Sequence, residues 1–143
     1  MTEQKLQHNL IMKFSQKHPE QRGLLFEVNN DTVNMKHAVK RRSMGMIAGV
    51  SDLVYVIPKC AIIAGIELKA EGSTHKTTHI KNQIEWGQKI IDQGGFYLIT
   101  SSLDNALFFI ESLMNDDYIS AIKLQQKCIL FAFKQMNKKT IKF

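Results

Sequence analysis

The most informative stretch of this chain is residues 49–69, GVSDLVYVIPKCAIIAGIELK, in which two apolar runs flank a short break. The runs are residues 52–57 and 61–69, and both are rich in valine and isoleucine, which favour β-strands. Residues 58–60 between them are few enough for the turn of a hairpin. The stretch therefore predicts two neighbouring antiparallel strands.

Charged residues stand at one end of this predicted hairpin. Glu67 and Lys69 are two residues apart on a strand, so they project from one face, whereas Leu68 faces the other. The hairpin can bring Asp52, at the start of the first run, beside Glu67. Because charges on an apolar strand are costly unless they are solvated or paired, these residues are candidates for a functional site.

The pair of carboxylates suits a magnesium site. Mg²⁺ takes oxygen ligands, often one or two carboxylates with water and phosphate, and the Leu68 carbonyl is well placed to join Asp52 and Glu67. Lys69 would orient the attacking water, accept its proton or stabilise a developing oxyanion, and we favour orientation and electrostatics over a strict general-base role. The competing interpretation is a turn aspartate beside an exposed Glu67–Lys69 pair that stabilises the fold little.

The rest of the chain predicts helices alternating with strands. Apolar residues at helical spacing and a basic run predict helices over residues 3–17, 34–47, 77–93, 103–114 and 118–137, and further apolar runs predict strands over 24–28 and 96–100. Thr2 and Ser102 are expected to cap the first and fourth helices, and Thr77 or Thr78 the third. The resulting order, α-β-α-β-β-α-β-α-α, predicts an α/β fold with a mixed sheet flanked by helices.

Length and charge indicate one basic domain. The chain has 143 residues, of which 44% are apolar and 22% are charged, as expected of a single globular domain. We expect residues 1–117 to form it and residues 118–143 to be a basic helical extension packed on it or extending it. The net charge of +6 favours a polyanionic partner, most simply nucleic acid, although many basic proteins bind nothing acidic.

Other features exclude several classes of protein. Cys60 and Cys128 do not make a disulfide framework, which favours a reducing, cytoplasmic setting. The polar start, MTEQKLQHNL, lacks the apolar run of a signal peptide, and no apolar stretch is long enough to span a membrane. Lys76 stands where a zinc-binding HExxH motif needs glutamate, so His75 and His79 are expected to be surface histidines.

Aromatic side chains on the predicted helices are expected in the core. Trp86 and the pair at residues 108–109 could stack on bases, but they lie on apolar helical segments, so we favour core packing.

The order of these motifs resembles that of the PD-(D/E)xK nucleases, and more narrowly that of stand-alone VRR-NUC domains. Residues 49–53 (GVSDL) match the family's G-V-P-D-L, residues 67–69 its E-x-K, and residues 83–86 (QIEW) its Q-x-x-W. Residues 3–7 match its helical E-x-x-x-Q opening, and residues 29–30 fall at its asparagine-containing turn. The resemblance covers about residues 3–112.

Two positions depart from the family's pattern. Ser51 replaces the usual proline before Asp52, which frees the backbone there, and Ser51 is not expected to be a ligand. Ile80 stands where the family often has a helix-capping threonine or serine, so the cap is expected from a neighbouring threonine.

The resemblance implies a restriction-endonuclease-like fold with an αβαββαβα core and a C-terminal helix. It also implies an endonuclease that hydrolyses DNA phosphodiesters with Mg²⁺ or Mn²⁺. The implied metal ligands are Glu3, Asp52, Glu67 and the Leu68 carbonyl. The implied catalytic residues are Asp52, Glu67, Lys69 and Gln83, the last of which supports the site or contacts the substrate.

Binding of DNA is expected beside this site. Arginine can grip phosphates with two hydrogen bonds, so Lys40, Arg41 and Arg42 are candidate phosphate contacts, although a solvated helix face would look the same. Asn30, at the turn that the family shares, is a further candidate contact to nucleic acid.

The resemblance also implies a substrate and an assembly. Stand-alone members resemble Holliday-junction resolvases that act as homodimers, and a symmetric dimer suits a four-way junction because each site can meet one of two opposed strands. Two alternatives stay open at this point. One is a non-catalytic, basic DNA-binding module, and the other is a nuclease that acts on flaps, duplex or RNA.

Overall fold

A computed structural model describes residues 1–138 and 141–143 of the chain. In this part of the chain the helices are α1 (Glu3–Lys17), α2 (Met35–Ser43), α3 (Thr77–Asp92), α4 (Leu103–Met114) and α5 (Tyr118–Met136). The strands are β1 (Leu25–Glu27), β2 (Leu53–Val56), β3 (Ile63–Leu68), β4 (Thr74–His75), β5 (Phe96–Thr100) and β6 (Ile141–Lys142), and a 3₁₀ turn covers Pro19–Gln21. The predicted order of helices and strands is confirmed except for β4 and β6, which were not predicted.

The main sheet is mixed, with strand order β1-β2-β3-β5. β2 and β3 form the predicted hairpin, in which Leu53 pairs with Ile66, and β1 pairs antiparallel with β2. β3 and β5 run parallel, with Leu68 opposite Thr100. The carboxyl ends of β1, β3 and β5 therefore meet the amino end of β2 at one edge of the sheet, which we call the acidic edge because Asp52 and Glu67 lie there.

Helices cover both faces of this sheet. Alternation along β5 sends Leu98 to one face and Tyr97 and Ile99 to the other, and the two faces pack against different helices. The first core joins the sheet to α1 and α4, and the second joins it to α3 and the carboxyl-terminal part of α5. At the open side of β5, the Tyr97 amide donates to Gln125 Oε1 of α5 at 2.8 Å. This α/β architecture confirms the predicted fold class.

The helix caps agree with the sequence at two helices and differ at the third. Thr2 and Ser102 each accept a hydrogen bond of 3.1 Å from the first turn of α1 and α4, as predicted. The prediction that Thr77 or Thr78 caps α3 is wrong. The cap position is Lys76, which makes no side-chain capping bond, and both threonines lie inside the first turn. The chain enters α3 directly from β4, so this entry is held by strand pairing instead.

A second, two-stranded sheet was not predicted. β4 pairs antiparallel with β6, so that Thr74 lies opposite Lys142 and His75 opposite Ile141. The expectation of a helical extension over residues 118–143 therefore fails at residues 141–142, and residues 139–140 lie outside the described residues. Strands of two residues are too short to show alternation, which is why the sequence did not indicate them.

The close approach of α3 to β5 depends on Gly87. A Cβ atom at this position would overlap the ring of Tyr97, which is fully buried. We expect Gly87→Ala to lower the free energy of unfolding by about 1–3 kcal/mol, because overpacking outweighs the gain of about 1 kcal/mol in helix propensity. Urea unfolding measures this change. Lys89→Ala, on the exposed side of α3, is the control. Equal stability of Gly87→Ala and wild type would show that α3 can move away from β5.

Candidate active site

The acidic edge collects residues from three elements, which are β2, β3 and α3. The pairing of Leu53 with Ile66 continues the β2–β3 register, which places Asp52 opposite Glu67. Lys69 follows β3 directly, and its backbone amide donates to the Thr100 carbonyl at 2.9 Å, so the next strand fixes its position. Gln83 comes from α3. The residues that the sequence singled out are therefore brought together by the hairpin and by the helix that follows it.

Hydrogen bonds hold the two carboxylates in different ways. Glu67 Oε1 accepts from Lys69 Nζ at 3.0 Å and from Gln83 Nε2 at 2.6 Å. Asp52 Oδ2 accepts from the backbone amide of Leu68 at 2.8 Å. Glu67 and Lys69 are each only 2% exposed. The alternative of an exposed Glu67–Lys69 pair is therefore wrong, because the helices that cover the sheet bury both side chains.

Burial raises the pKa values of the two carboxylates at this edge. It raises the pKa of Glu67 to about 8, and the negative charge of Asp52 adds to that rise, whereas Lys69 opposes it. Burial also raises the pKa of Asp52, partly offset by the hydrogen bond from the Leu68 amide. A raised pKa means that the folded protein disfavours the charged form. Lys69 therefore does not compensate both carboxylates.

Two buried oxygen atoms of the site have no hydrogen-bond partner among the described residues. They are Glu67 Oε2 and Gln83 Oε1. Unpartnered oxygens beside carboxylates with raised pKa values form a donor set that suits a hard divalent cation, which takes carboxylate and carbonyl oxygens. The residues present therefore fit Mg²⁺ or Mn²⁺.

Glu3 stands apart from the two buried carboxylates. Its side chain is 42% exposed, and its Oε1 lies 3.9 Å from His75 Nε2. It is near enough to raise the pKa of both Asp52 and Glu67, and it lines one cleft with Asp52. Over residues 1–138 and 141–143, no three His, Cys, Asp or Glu side chains form a ready metal-binding cluster. The sequence-predicted set of three carboxylate ligands is thus close together but not assembled.

The predicted DNA-contacting residues fall into two places. Asn30 lines the same cleft as Glu3 and Asp52, and its Nδ2 donates to the Val50 carbonyl at 3.3 Å. This bond ties the loop that enters α2 to the loop that leaves it. Lys40, Arg41 and Arg42 are exposed near the carboxyl end of α2 and take no part in the hydrogen bonds around Glu67.

One histidine and one aromatic residue differ from expectation. His75 lies against Glu3, with a side chain only 12% exposed, so it is not a surface histidine. His79 is exposed, as predicted, but its Nε2 lies 3.1 Å from Gln83 Nε2, so it borders the candidate site. The sequence spacing of His79 and Gln83 could have indicated this contact, because residues four apart on a helix share a face. Phe109 is buried as predicted, but Phe108 is 52% exposed, so its predicted core packing is wrong.

Comparison with known structures confirms the restriction-endonuclease-like class of fold. A solved structure described as a VRR_NUC domain protein has a TM-score of 0.63 to this chain, at 21% sequence identity. The match covers 80% of this chain and 89% of that chain. No protein-family model matches the sequence, and no curated protein matches it. The fold is thus that of a VRR-NUC domain.

In the part of the chain that the structure describes, no helix combines the length and the apolarity that a membrane span requires.

The raised pKa of Glu67 predicts how metal-free stability depends on pH. Folding raises this pKa from 4.5 to about 8, so the folded state binds the proton more tightly, and stability is lost as the pH rises through that window. We expect Glu67→Gln to remove most of this pH dependence in the presence of a chelator, because a glutamine side chain does not titrate. Urea unfolding at pH 5 and pH 9 measures the difference. Glu85→Gln, exposed on α3, serves as the control, and parallel pH profiles for wild type and Glu67→Gln would contradict the prediction.

Proposed function

We propose that this protein is a divalent-metal-dependent DNA endonuclease of the VRR-NUC type. The observation that carries the proposal is the buried group of Asp52, Glu67 and Lys69 at one edge of a sheet whose fold is shared with a VRR_NUC domain protein. Burial of two carboxylates with one lysine destabilises a fold unless a ligand completes the site. A cation and a phosphate would complete this one.

The proposed metal ligands are the carboxylates of Asp52 and Glu67 and the Leu68 carbonyl, with Glu3 joining from the start of α1. When bound, Mg²⁺ or Mn²⁺ would lower the pKa of a coordinated water and stabilise negative charge on the phosphate. The Glu3 side chain is half-buried and stands in the first turn of α1, outside the core, so it can move toward Asp52 without disturbing core packing.

Lys69 is the proposed electrostatic and orienting group. One of the three N–H bonds of its ammonium is directed at Glu67 Oε1, which leaves two donors for a water molecule and a phosphate oxygen. Hydrolysis adds water across one P–O bond, and negative charge builds up on the phosphate oxygens as that bond breaks. A fixed ammonium at this place stabilises the charge without having to reorganise.

DNA is the proposed substrate, and four-way junctions are the proposed preferred form. Lys40, Arg41 and Arg42 supply exposed positive charge on α2, whose entry loop contains Asn30 of the acidic cleft. The described residues form one such edge, so cutting two opposed strands of a junction requires two copies. We therefore propose a homodimer.

Cleavage assays test this function. We expect wild-type protein to nick a labelled four-way junction in Mg²⁺ or Mn²⁺, and Asp52→Asn or Lys69→Ala to cut at least about 100-fold more slowly, because transition-state charge is left unstabilised. Junction affinity of both variants should stay within a few fold of wild type. Single-turnover cleavage and a binding titration measure these quantities.

The same assay separates the alternatives. Lys81→Ala, an exposed lysine of α3, is the control for Lys69→Ala. Competition by flap and duplex DNA ranks the substrates, and light scattering reports the oligomeric state. Salt-sensitive binding without cleavage, unchanged in Asp52→Asn, would favour a non-catalytic DNA-binding module and sink the proposal.

The basic segment of α2 makes a separate prediction. Replacing Lys40, Arg41 and Arg42 together by alanine should weaken DNA binding and reduce the slope of log affinity against log salt by about 2–3, because about three phosphate contacts are lost. Cleavage at saturating protein should change little. A double variant of exposed lysines elsewhere, Lys13→Ala with Lys89→Ala, is the control. An unchanged salt slope in the α2 variant would remove this segment from the DNA interface.

A further inference from the structure

The side-chain amide of Gln83 is held from two sides. Its Nε2 lies 2.6 Å from Glu67 Oε1 and 3.1 Å from His79 Nε2. A primary amide nitrogen has two hydrogens, so one can be donated to each acceptor. Both donors of this amide are then used, and Gln83 Oε1 is turned away from Glu67.

The orientation of this amide matters because Gln83 is only 4% exposed. An amide has nearly the same shape after a half turn, so packing does not distinguish its nitrogen from its oxygen. The half turn would set Gln83 Oε1 against Glu67 Oε1, with two acceptors facing each other. The choice must therefore come from hydrogen-bond partners, and His79 is the second of these.

His79 can accept only in one form. Its Nε2 must be unprotonated, which places the ring proton on Nδ1. Although His79 is exposed, partial desolvation of its ring and the positive charge of Lys69 lower its pKa, which favours the neutral ring. His79 and Gln83 lie one turn apart on α3, so the helix itself sets the distance between them.

We propose that His79 is a positioning residue, which fixes the Gln83 amide so that its nitrogen holds Glu67 Oε1 and the unpartnered oxygens stay available to a ligand. Its effect on cleavage rests on the proposed function, whereas its effect on the Gln83 amide does not. His75, the other histidine of the pair, contacts Ser73 and lies near Glu3 and Phe143, so it does not share this role.

The experiment compares acceptors at residue 79 in the ¹⁵N-labelled full chain. The Gln83 side-chain amide signals are assigned by their loss in Gln83→Met. We expect His79→Phe to shift these signals and to speed their hydrogen exchange at least 10-fold, because one donor loses its partner. His79→Gln, whose side-chain oxygen can accept, should restore the slow exchange. His8→Phe, on the exposed side of α1, is the control.

Cleavage of a four-way junction is the second readout. We expect His79→Phe to cut at least about 10-fold more slowly with junction affinity within two-fold of wild type, and His79→Gln to recover most of the rate. Gln83 signals that are unchanged in His79→Phe, or changed equally in His79→Gln, would overturn the positioning role. If wild type cuts no DNA while the signals still follow the acceptor at residue 79, the positioning role is supported and the proposed function is contradicted.

Discussion

The burial of a lysine and two carboxylates at one edge of an apolar sheet is the constraint on which this structure depends. Charges taken out of water are tolerated only when they are paired and hydrogen-bonded. Lys69 and Gln83 meet this need for one oxygen of Glu67, and the Leu68 amide meets it for Asp52. The hairpin register and the docking of α3 must both be correct for these bonds to form, so the fold and the site are linked.

These hydrogen bonds do not satisfy every buried oxygen of the site, and the unsatisfied oxygens are the ones that a ligand could use. Glu67 keeps a pKa of about 8, and one oxygen of its carboxylate has no hydrogen-bond partner in the described part of the chain. A site that satisfied every polar group internally would have little to offer a cation or a phosphate. The site therefore has more acidic than basic side chains, although the net charge of the protein is +6.

Sequence periodicity predicted the regular parts of the fold well. α4 begins and ends where its apolar spacing and Ser102 indicated. The β2–β3 hairpin forms as predicted, but its connection covers residues 57–62 rather than 58–60. The failures have physical causes. β4 and β6 are too short to show a pattern, and strand pairing replaces the expected threonine cap of α3. Phe108 belongs to an apolar helix, which is why core packing was expected. It lies on the exposed side of α4, because only one face of that helix meets the sheet.

For the site, local spacing was sufficient to place Glu67 and Lys69 on one face of a strand and to set Asp52 near them, because side chains alternate along a strand and a short turn fixes the register. The burial of that pair, the bond from Gln83 to Glu67 and the place of His79 beside Gln83 required the packed structure. Glu67 and Gln83 are 16 residues apart and belong to different elements, so they meet only when α3 docks on the sheet. Periodicity describes one element at a time, whereas desolvation and hydrogen bonding between elements arise only once those elements are packed together.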